Sequence, residues 1–346
     1  MDLGSGPTWA ALWVGGALQT LPIQSPIHDL SASGQAASGG PLGFRWRSTD
    51  GVTLISQVPG CSSAGIECVA VNADGEIVMG VFSCPGPVPR IEPFRWTQAT
   101  GVQPLGLPTG AAEAGIADVS HNGQLAIGTA SASETFAFRW SSTAGFVELP
   151  GLPGHIGTAV ARMTQAGDII VGRSGDRPVR WVNGMCQDLG VWPGSNSRAS
   201  ASDIAADGRR VVGNAFTTEL QNEPFIWDAV NGLRLLRDIL GAHGVGTSDW
   251  QQLSVSGISG DGTTLAGWGR RPGSLMNRPW HARIPAHCYA NCDGSTVTPT
   301  LNVADFTCFL RRFASGDVLY ADCDLNADLG VPDFTCFLRR FAAGCP

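Results

Sequence analysis

Short apolar runs separated by glycine turns recur along residues 1–286. One ten-residue pattern appears in six copies. It consists of an apolar residue, three variable residues, a glycine, two variable residues, two mostly small or apolar residues and a second glycine. The copies occupy residues 30–39, 71–80, 119–128, 163–172, 204–213 and 258–267. Four of the first glycines follow Asp or Asn, a pair that is typical of hairpin turns with positive φ. Each copy therefore predicts two strands joined by a tight turn.

Two further strands are predicted after each hairpin. The third strand contains Phe-Arg-Trp in its first three copies, at residues 44–46, 94–96 and 138–140, and a fourth strand follows a glycine at 101–105, 145–149 and 232–236. Four strands in a period of 41 to 54 residues are typical of a β-propeller blade. The chain opens with an isolated third and fourth strand at 11–13 and 17–21, and the last repeat stops at 284–285 without its fourth. Six blades result if residues 17–21 complete the last one, whereas a seventh would need two strands that this N-terminus lacks.

The aromatic and basic residues of the third strand have predictable places. The tryptophans within the repeat should form the core between blades. The arginines Arg45, Arg95, Arg139 and Arg180 alternate with core residues, so they should lie on the other face of the pleat and pair with carboxylates or stack on rings. Trp192 and Trp250 fall outside the pattern and are candidates for stacking on carbohydrate.

At these residues the chain resembles the HAF family of bacterial extracellular repeats, over most of residues 9–284. The resemblance implies a secreted propeller and no defined chemistry. No metalloprotease, nucleophile-elbow, phosphate-loop or dinucleotide motif occurs in the sequence, so no catalytic residue is assigned.

Charge and hydropathy exclude several partners. The net charge of −7 provides no general attraction to nucleic acid or to anionic membranes. No run of eighteen apolar residues exists, so no membrane span is predicted. The apolar stretch at residues 9–18 follows Asp2 and no basic residue, which makes a poor secretory signal. Export would require a signal upstream of the given N-terminus.

Cysteine usage favours export. Six of the ten cysteines lie in the last 59 residues, a density typical of a small domain held by disulfides or metal. They are Cys288, Cys292, Cys308, Cys323, Cys336 and Cys345. No Cys-x-x-Cys pair exists, which argues against zinc. In the propeller, a disulfide is expected among Cys61, Cys68 and Cys84, whereas Cys186 is a free thiol or pairs at long range.

The C-terminal segment contains a second duplication, because residues 305–313 and 333–341 are identical. The apolar positions of the first copy fall at the spacing of an amphipathic helix, capped by Asp305 and ending near Gly316. Its twin should begin at Asp333 and end at Gly344. The apolar stripe of the first helix consists of Phe306, Phe309, Leu310 and Phe313.

An acidic loop precedes each helix. The second loop spans twelve residues, 322–333, with oxygens at positions 1, 3, 5, 7 and 12, as in an EF-hand calcium loop. Ala327 replaces the expected glycine at position six, and position twelve is Asp where Glu is usual. The first loop is lengthened by residues 296–300 and has Asn291 in place of an acid, so its affinity should be lower. A disulfide-stapled helical hairpin without metal is the alternative.

The duplicated unit resembles a dockerin, in a Cys-rich variant, over residues 288–346. The resemblance implies one or two calcium ions, held in the second loop by Asp322, Asp324, Asn326, Asp328 and Asp333, and in the first by Asn291, Asp293, Ser295 and Asp305. It implies a cohesin-like scaffold or cell-surface partner, bound in two alternative orientations by Leu310, Arg311, Arg312, Leu338, Arg339 and Arg340. The duplicated cysteines then suggest the pairs Cys292–Cys308, Cys323–Cys336 and Cys288–Cys345.

The sequence thus predicts a mainly β chain with two domains, a propeller at 1–286 and a small α-helical calcium-binding domain at 287–346. One predicted function is a non-catalytic extracellular propeller that binds polysaccharide or protein and is anchored by the dockerin-like domain. The alternative is an exported carbohydrate-active enzyme, a glycosidase or lyase, which would need convergent carboxylates in the propeller funnel.

Overall fold

A computed structural model describes residues 9–14, 17–61, 64–85, 90–192, 198–216, 222–286, 288–295 and 298–345. The fold is mainly β, a six-bladed propeller in which the described residues form four strands in five blades and three in the sixth, with one helix after the fifth blade and three near the C-terminus. The chain divides into two compact units, Met1–Glu148 with Gln165–Gly167, and Leu149–Thr164 with Asp168–Pro346. The C-terminal helices belong to the second unit. His287 at the predicted domain boundary and Thr296 in the first loop lie outside the described residues.

In the first unit, the part of the chain that the structure describes forms three antiparallel four-stranded sheets and an N-terminal hairpin. The hairpin consists of β1 (Ala11–Val14) and β2 (Ala17–Thr20). The first blade is β3 (Ile27–Leu30), β4 (Ala36–Gly39), β5 (Phe44–Arg47) and β6 (Gly51–Leu54). The second is β7 (Gly65–Val71), β8 (Ile77–Cys84), β9 (Arg90–Thr97) and β10 (Gly101–Pro104). The third is β11 (Glu113–Val119), β12 (Leu125–Ser131), β13 (Thr135–Ser141) and β14 (Gly145–Glu148).

The described residues of the second unit form two four-stranded sheets, a three-stranded sheet and four helices. The fourth blade is β15 (Thr158–Met163), β16 (Ile169–Ser174), β17 (Arg177–Val182) and β18 (Met185–Asp188). The fifth is β19 (Ala199–Ile204), β20 (Arg210–Ala215), β21 (Glu223–Asp228) and β22 (Gly232–Leu235), followed by α1 (Leu236–Ala242). The sixth is β23 (Gln252–Ile258), β24 (Thr264–Arg270) and β25 (Asn277–Arg283). The C-terminal helices are α2 (Val303–Ala314), α3 (Val318–Ala321) and α4 (Val331–Ala343).

The predicted N-terminal strands pair with each other, from Ala11 with Thr20 to Val14 with Ala17. Among the described residues, the sheet of β23, β24 and β25 has three strands, and no fourth strand is hydrogen-bonded to β25. Backbone pairing between residues 17–21 and the last blade is therefore not observed. The fourth strand of the fifth blade also ends sooner than predicted, because Leu236 begins α1.

A β-bulge explains why the second glycine recurs in every repeat. The register shifts at the same place in the first strand of each of the six blades, as between Cys68 and Ala70. Such a bulge bends the strand and increases its local twist. A Cβ at the second glycine would lie 2.0 to 2.2 Å from a carbonyl oxygen at the first strand, in each blade. These glycines are Gly39, Gly80, Gly128, Gly172, Gly213 and Gly267.

The aromatic core of the blades agrees with the prediction. The third-strand tryptophans of the first five blades are buried, whereas Trp280 of the sixth is half-buried. Two of the alternating arginines stack on a tryptophan of the next blade. Arg45 lies 5.1 Å from the ring centroid of Trp96, and it also donates to Asp50. Arg180 lies 4.8 Å from the ring centroid of Trp227. Both guanidinium groups are buried, and burial lowers the pKa of Arg180 to about 10.

Candidate metal centre

Three disulfides and an aromatic core hold the C-terminal segment. The bonds join Cys292 to Cys308, Cys323 to Cys336 and Cys288 to Cys345, which is the pairing that the duplication suggests. The two duplicated phenylalanines Phe309 and Phe337 are fully buried and stack with ring centroids 4.0 Å apart. Tyr289 and Tyr320 each donate from the hydroxyl to the backbone carbonyl of the other. The segment therefore has its own small core.

Each helix begins before the acid that the sequence suggested as its cap. Helix α2 is capped by Asn302, whose side chain accepts from Ala304 N. Asp305 lies one turn inside the helix, where its Oδ2 accepts from Asn302 N at 2.9 Å and completes a capping box. Asp333 has the same place in α4 and accepts from Gly330 N at 2.8 Å. Both carboxylates thus close a loop onto the start of its helix.

The second loop gathers three carboxylates. Asp322, Asp324 and Asp333 each offer an oxygen within 4.8 Å of the others, and this is the only such group of metal-ligating side chains in the described part of the chain. Asp322 and Asp333 are fully buried, whereas Asp324 is exposed. Burial raises the pKa of the Asp322 carboxyl, the backbone N–H groups of Ala327 and Asn326 lower it, and the neighbouring carboxylates raise it again.

The backbone of the second loop wraps around these carboxylates. Asp322 accepts from Asn326 N at 2.9 Å and from Ala327 N at 2.8 Å. Leu325 and Ala327 have positive φ values of 60° and 71°. Ala327, at position six, therefore has the left-handed conformation for which an EF-hand loop normally uses glycine. An all-oxygen donor set with this curvature fits a hard divalent cation, and Asp322, Asp324 and Asp333 are the residues that would hold it.

Asn326 and Asp328 remain predicted ligands. The Oδ1 of Asn326 accepts from Asp328 N at 2.7 Å, and its Nδ2 donates to Asp324 at 3.1 Å. Asp328 is exposed and lies outside the carboxylate group.

The first loop repeats part of the hydrogen bonding of the second but has fewer carboxylates. Asp305 accepts from Asp293 N at 3.2 Å, as Asp333 does from Asp324 N at 3.2 Å. Gly294 has a positive φ of 69°, which matches Leu325. Asn291, at position one of this loop, donates from Nδ2 to Ser295 O. The buried Oδ1 of Asn291 has no hydrogen-bond partner among the described residues. This loop offers two carboxylates, Asp293 and Asp305, so its electrostatic attraction for calcium is weaker.

The predicted partner residues differ in exposure. Leu310 and Leu338 are each 40 % exposed, and Arg311, Arg339 and Arg340 are exposed as well. The equivalent positions Val303 and Val331 at the helix starts are 78 % and 77 % exposed, a feature that the sequence analysis missed.

Arg312 is engaged within the chain. It donates to the carbonyl oxygens of Ala229 and Val230 in the fifth blade, at 3.1 and 3.4 Å, and to Asp317 at 3.1 Å. Its guanidinium also lies 4.6 Å from the ring centroid of Tyr320. Among the predicted contact residues, Arg312 therefore has a structural role.

Carboxylates of the propeller strands join neighbouring blades. Asp29 follows the bulge of β3 and accepts from Val71 N in the second blade at 2.9 Å. Asp203 follows the bulge of β19 and accepts from Ile258 N in the sixth blade at 2.8 Å. These two acids stabilise the blade contacts. The alternation pattern could not reveal them, because the bulge breaks the period of two.

The remaining cysteines separate into one disulfide and two thiols. Cys61 is bonded to Cys84, and Cys68, the third candidate, is free and buried. Burial raises the pKa of the Cys68 thiol to about 12. Cys186 is free and half-buried.

Trp192, a candidate for carbohydrate stacking, packs partly against the core of the fourth and fifth blades. Trp250, the other candidate, has the guanidinium of Arg271 5.5 Å from its ring centroid.

None of the helices in the described ranges has the length and hydropathy needed to cross a bilayer.

Comparison with known proteins supports the fold alone. No protein-family profile and no curated protein matches the chain. An oligogalacturonate lyase in complex with manganese is similar in structure, with a TM-score of 0.50, 11 % identity and coverage of 81 % of this chain and 84 % of the other. TolB from Acinetobacter baumannii gives a TM-score of 0.42 and 14 % identity, and the match covers 62 % of this chain but only 55 % of TolB. The Swd1 (Cps50) β-propeller domain from Myceliophthora thermophila gives a TM-score of 0.37 and 14 % identity, and the match covers 70 % of this chain and 92 % of that domain. At these identities no activity can be transferred.

Proposed function

We propose that this chain is a non-catalytic extracellular propeller, anchored to a cell surface or a multiprotein assembly by a calcium-dependent, dockerin-like C-terminal module. The observation that carries the proposal is the group of Asp322, Asp324 and Asp333, closed by a helix start in a duplicated, disulfide-held fold. Four disulfides favour an oxidising compartment, in keeping with export. The propeller would bind a polysaccharide or protein ligand.

The exposed helix faces support the anchoring part of the proposal. Matching apolar residues on α2 and α4 remain open to solvent, and each is followed by an exposed arginine, Arg311 or Arg339. An apolar residue with a neighbouring guanidinium is a common composition for the centre of a protein interface. A cohesin-like scaffold protein is the partner that the resemblance to dockerins implies.

Calcium titration of the full oxidised chain by calorimetry tests the metal site. The duplication supplies a matched pair of variants, Asp324→Asn in the second loop and Asp293→Asn in the first. Both aspartates are exposed and accept a backbone N–H two residues ahead, from Asn326 and Ser295. We expect Asp324→Asn to abolish the tightest binding event and Asp293→Asn to preserve it. Absence of calcium uptake by the wild-type chain would refute the metal site.

A capture experiment tests anchoring. The full chain is applied to an immobilised cohesin-bearing scaffold protein in calcium and in EGTA. We expect retention in calcium alone, because a loop that is ordered by the ion presents the helices correctly. Equal retention in both buffers would sink the calcium-dependent mechanism.

A further inference from the structure

The second loop packs against the propeller itself. Leu325 and Ala327, the two residues with positive φ, join the hydrophobic cluster that includes Ile169 of the fourth blade and Val211 of the fifth. Ala327 is 7 % exposed, and a Cβ at Gly208 would lie 3.4 Å from Leu325 Cδ1. The sharp turn of the loop is thus also the part that contacts the blades.

Three propeller side chains donate to backbone carbonyls of this segment. Asn183, in the turn between β17 and β18, donates from Nδ2 to Asn326 O at 2.9 Å. Arg180 donates from Nη2 to Leu319 O at 3.1 Å. Arg209 donates to Cys323 O, between the candidate ligands Asp322 and Asp324. These contacts fix the direction of peptide planes immediately before and within the loop.

The two arginines are buried at this contact. Arg180 is 1 % exposed and Arg209 is 5 % exposed, and the Arg209 guanidinium lies 4.0 Å from the ring centroid of Tyr289. A guanidinium is placed out of water at low cost only where its donors are satisfied and opposite charge is near. Arg180 donates to Gln187 Oε1, Gly208 O and Leu319 O, whereas Arg209 donates to Cys323 O and its Nε has no hydrogen-bond partner in the described part of the chain.

We infer that the fourth and fifth blades are the intramolecular partner of the second calcium loop, and that Asn183, Arg180 and Arg209 preset its backbone for the ion. The inference rests on the proposed calcium site. These three are positioning residues, because they bond to loop carbonyls and to none of the candidate ligand carboxylates. Calcium occupancy and seating of the loop on the propeller are then linked reciprocally: each strengthens the other by the same factor.

Asn183→Gly is the single variant that tests the inference most specifically. Asn183 has a positive φ of 48° and is exposed, so glycine keeps the turn and removes only the side chain that bonds to Asn326 O. A coupling of ordinary size between linked sites predicts about a tenfold weaker calcium affinity of the full oxidised chain. The measurement is the calorimetric calcium titration.

Arg180→Gln and Arg45→Gln form a matched pair. Each arginine bonds a turn carbonyl of the next blade, Gly208 O or Gly75 O, and each stacks on a tryptophan of that blade. Only Arg180 also reaches the C-terminal segment. Both variants should destabilise their blades, but only Arg180→Gln should weaken calcium binding by about tenfold.

Hydrogen exchange provides a readout that is independent of affinity. In the wild-type chain, calcium should slow exchange of the propeller turn amides at 182–184 and 207–209 as well as those of the loop. Protection confined to the loop, or affinities of Asn183→Gly and Arg180→Gln within twofold of wild type, would overturn the inference. A wild-type chain that takes up no calcium would overturn the proposed function instead, so the two failures are distinguishable.

Discussion

Replacement of Asp333 by Asn should loosen the start of α4 even without calcium. The Asp333 carboxylate is fully buried and accepts three backbone hydrogen bonds, from Cys323 N at 2.7 Å, Asp324 N at 3.2 Å and Gly330 N at 2.8 Å. Asn has one acceptor oxygen, so at least one donor loses its partner and faces an amide N–H instead. A hydrogen bond to a charged group contributes about 1.5–3 kcal/mol. We therefore expect a local loss of about 2 kcal/mol.

Native-state hydrogen exchange in calcium-free buffer measures this loss. A change of about 2 kcal/mol in the local opening free energy corresponds to roughly thirtyfold faster exchange of the α4 amides that open locally. The matched control is Asp305→Asn, which removes the same closure from α2. It should loosen the start of α2 but leave the affinity of the second loop for calcium within about threefold of wild type. Unchanged α4 protection in Asp333→Asn would refute the assigned role of the carboxylate.

Three further changes test other parts of the structure. Phe337→Ala removes a fully buried ring that stacks on Phe309, so we expect a loss of about 3–5 kcal/mol, measured by hydrogen exchange of α2 and α4. Asp203→Ala leaves Ile258 N without its acceptor, and a cost of about 1–3 kcal/mol should appear as a lower melting temperature; an unchanged value would contradict the blade contact. Cys68, whose pKa is raised to about 12, stays protonated at pH 8, so iodoacetamide should label it only after unfolding, and rapid labelling of the native chain would contradict its burial.

The repeat spacing was sufficient to predict the strands. An Asp-Gly or Asn-Gly turn needs a positive φ, and Gly75, Gly123, Gly208 and Gly262 have φ values of 68° to 73°. The burial of the third-strand tryptophans in the first five blades follows from their shared position in the repeat. Each of these features depends on local geometry that is repeated in every blade, so the pattern itself contains the information.

Features that break the repeat could not be predicted from the pattern. The contact between Arg180 and Leu319 O joins residues 139 positions apart, and Arg180 occupies the same sequence context as Arg45, which has no such role. The sequence does not identify the cap of α2, because Asn302 and Asp305 are both acceptors suited to a helix start and only the backbone shows that Asn302 precedes the first turn.

The propeller makes the two halves of the C-terminal duplication unequal. In sequence the stripes at Leu310 and Leu338 are identical in their surroundings, which would allow a partner to bind in two equivalent orientations. In the structure Arg312 is bonded to Ala229 and Val230 of the fifth blade, whereas its duplicate Arg340 is exposed. The Arg340 guanidinium lies 5.5 Å from the ring centroid of Tyr289, a ring that Arg209 of the fifth blade approaches at 4.0 Å. A partner beside Arg312 would therefore meet different propeller residues from a partner beside Arg340. The two orientations would therefore differ in free energy.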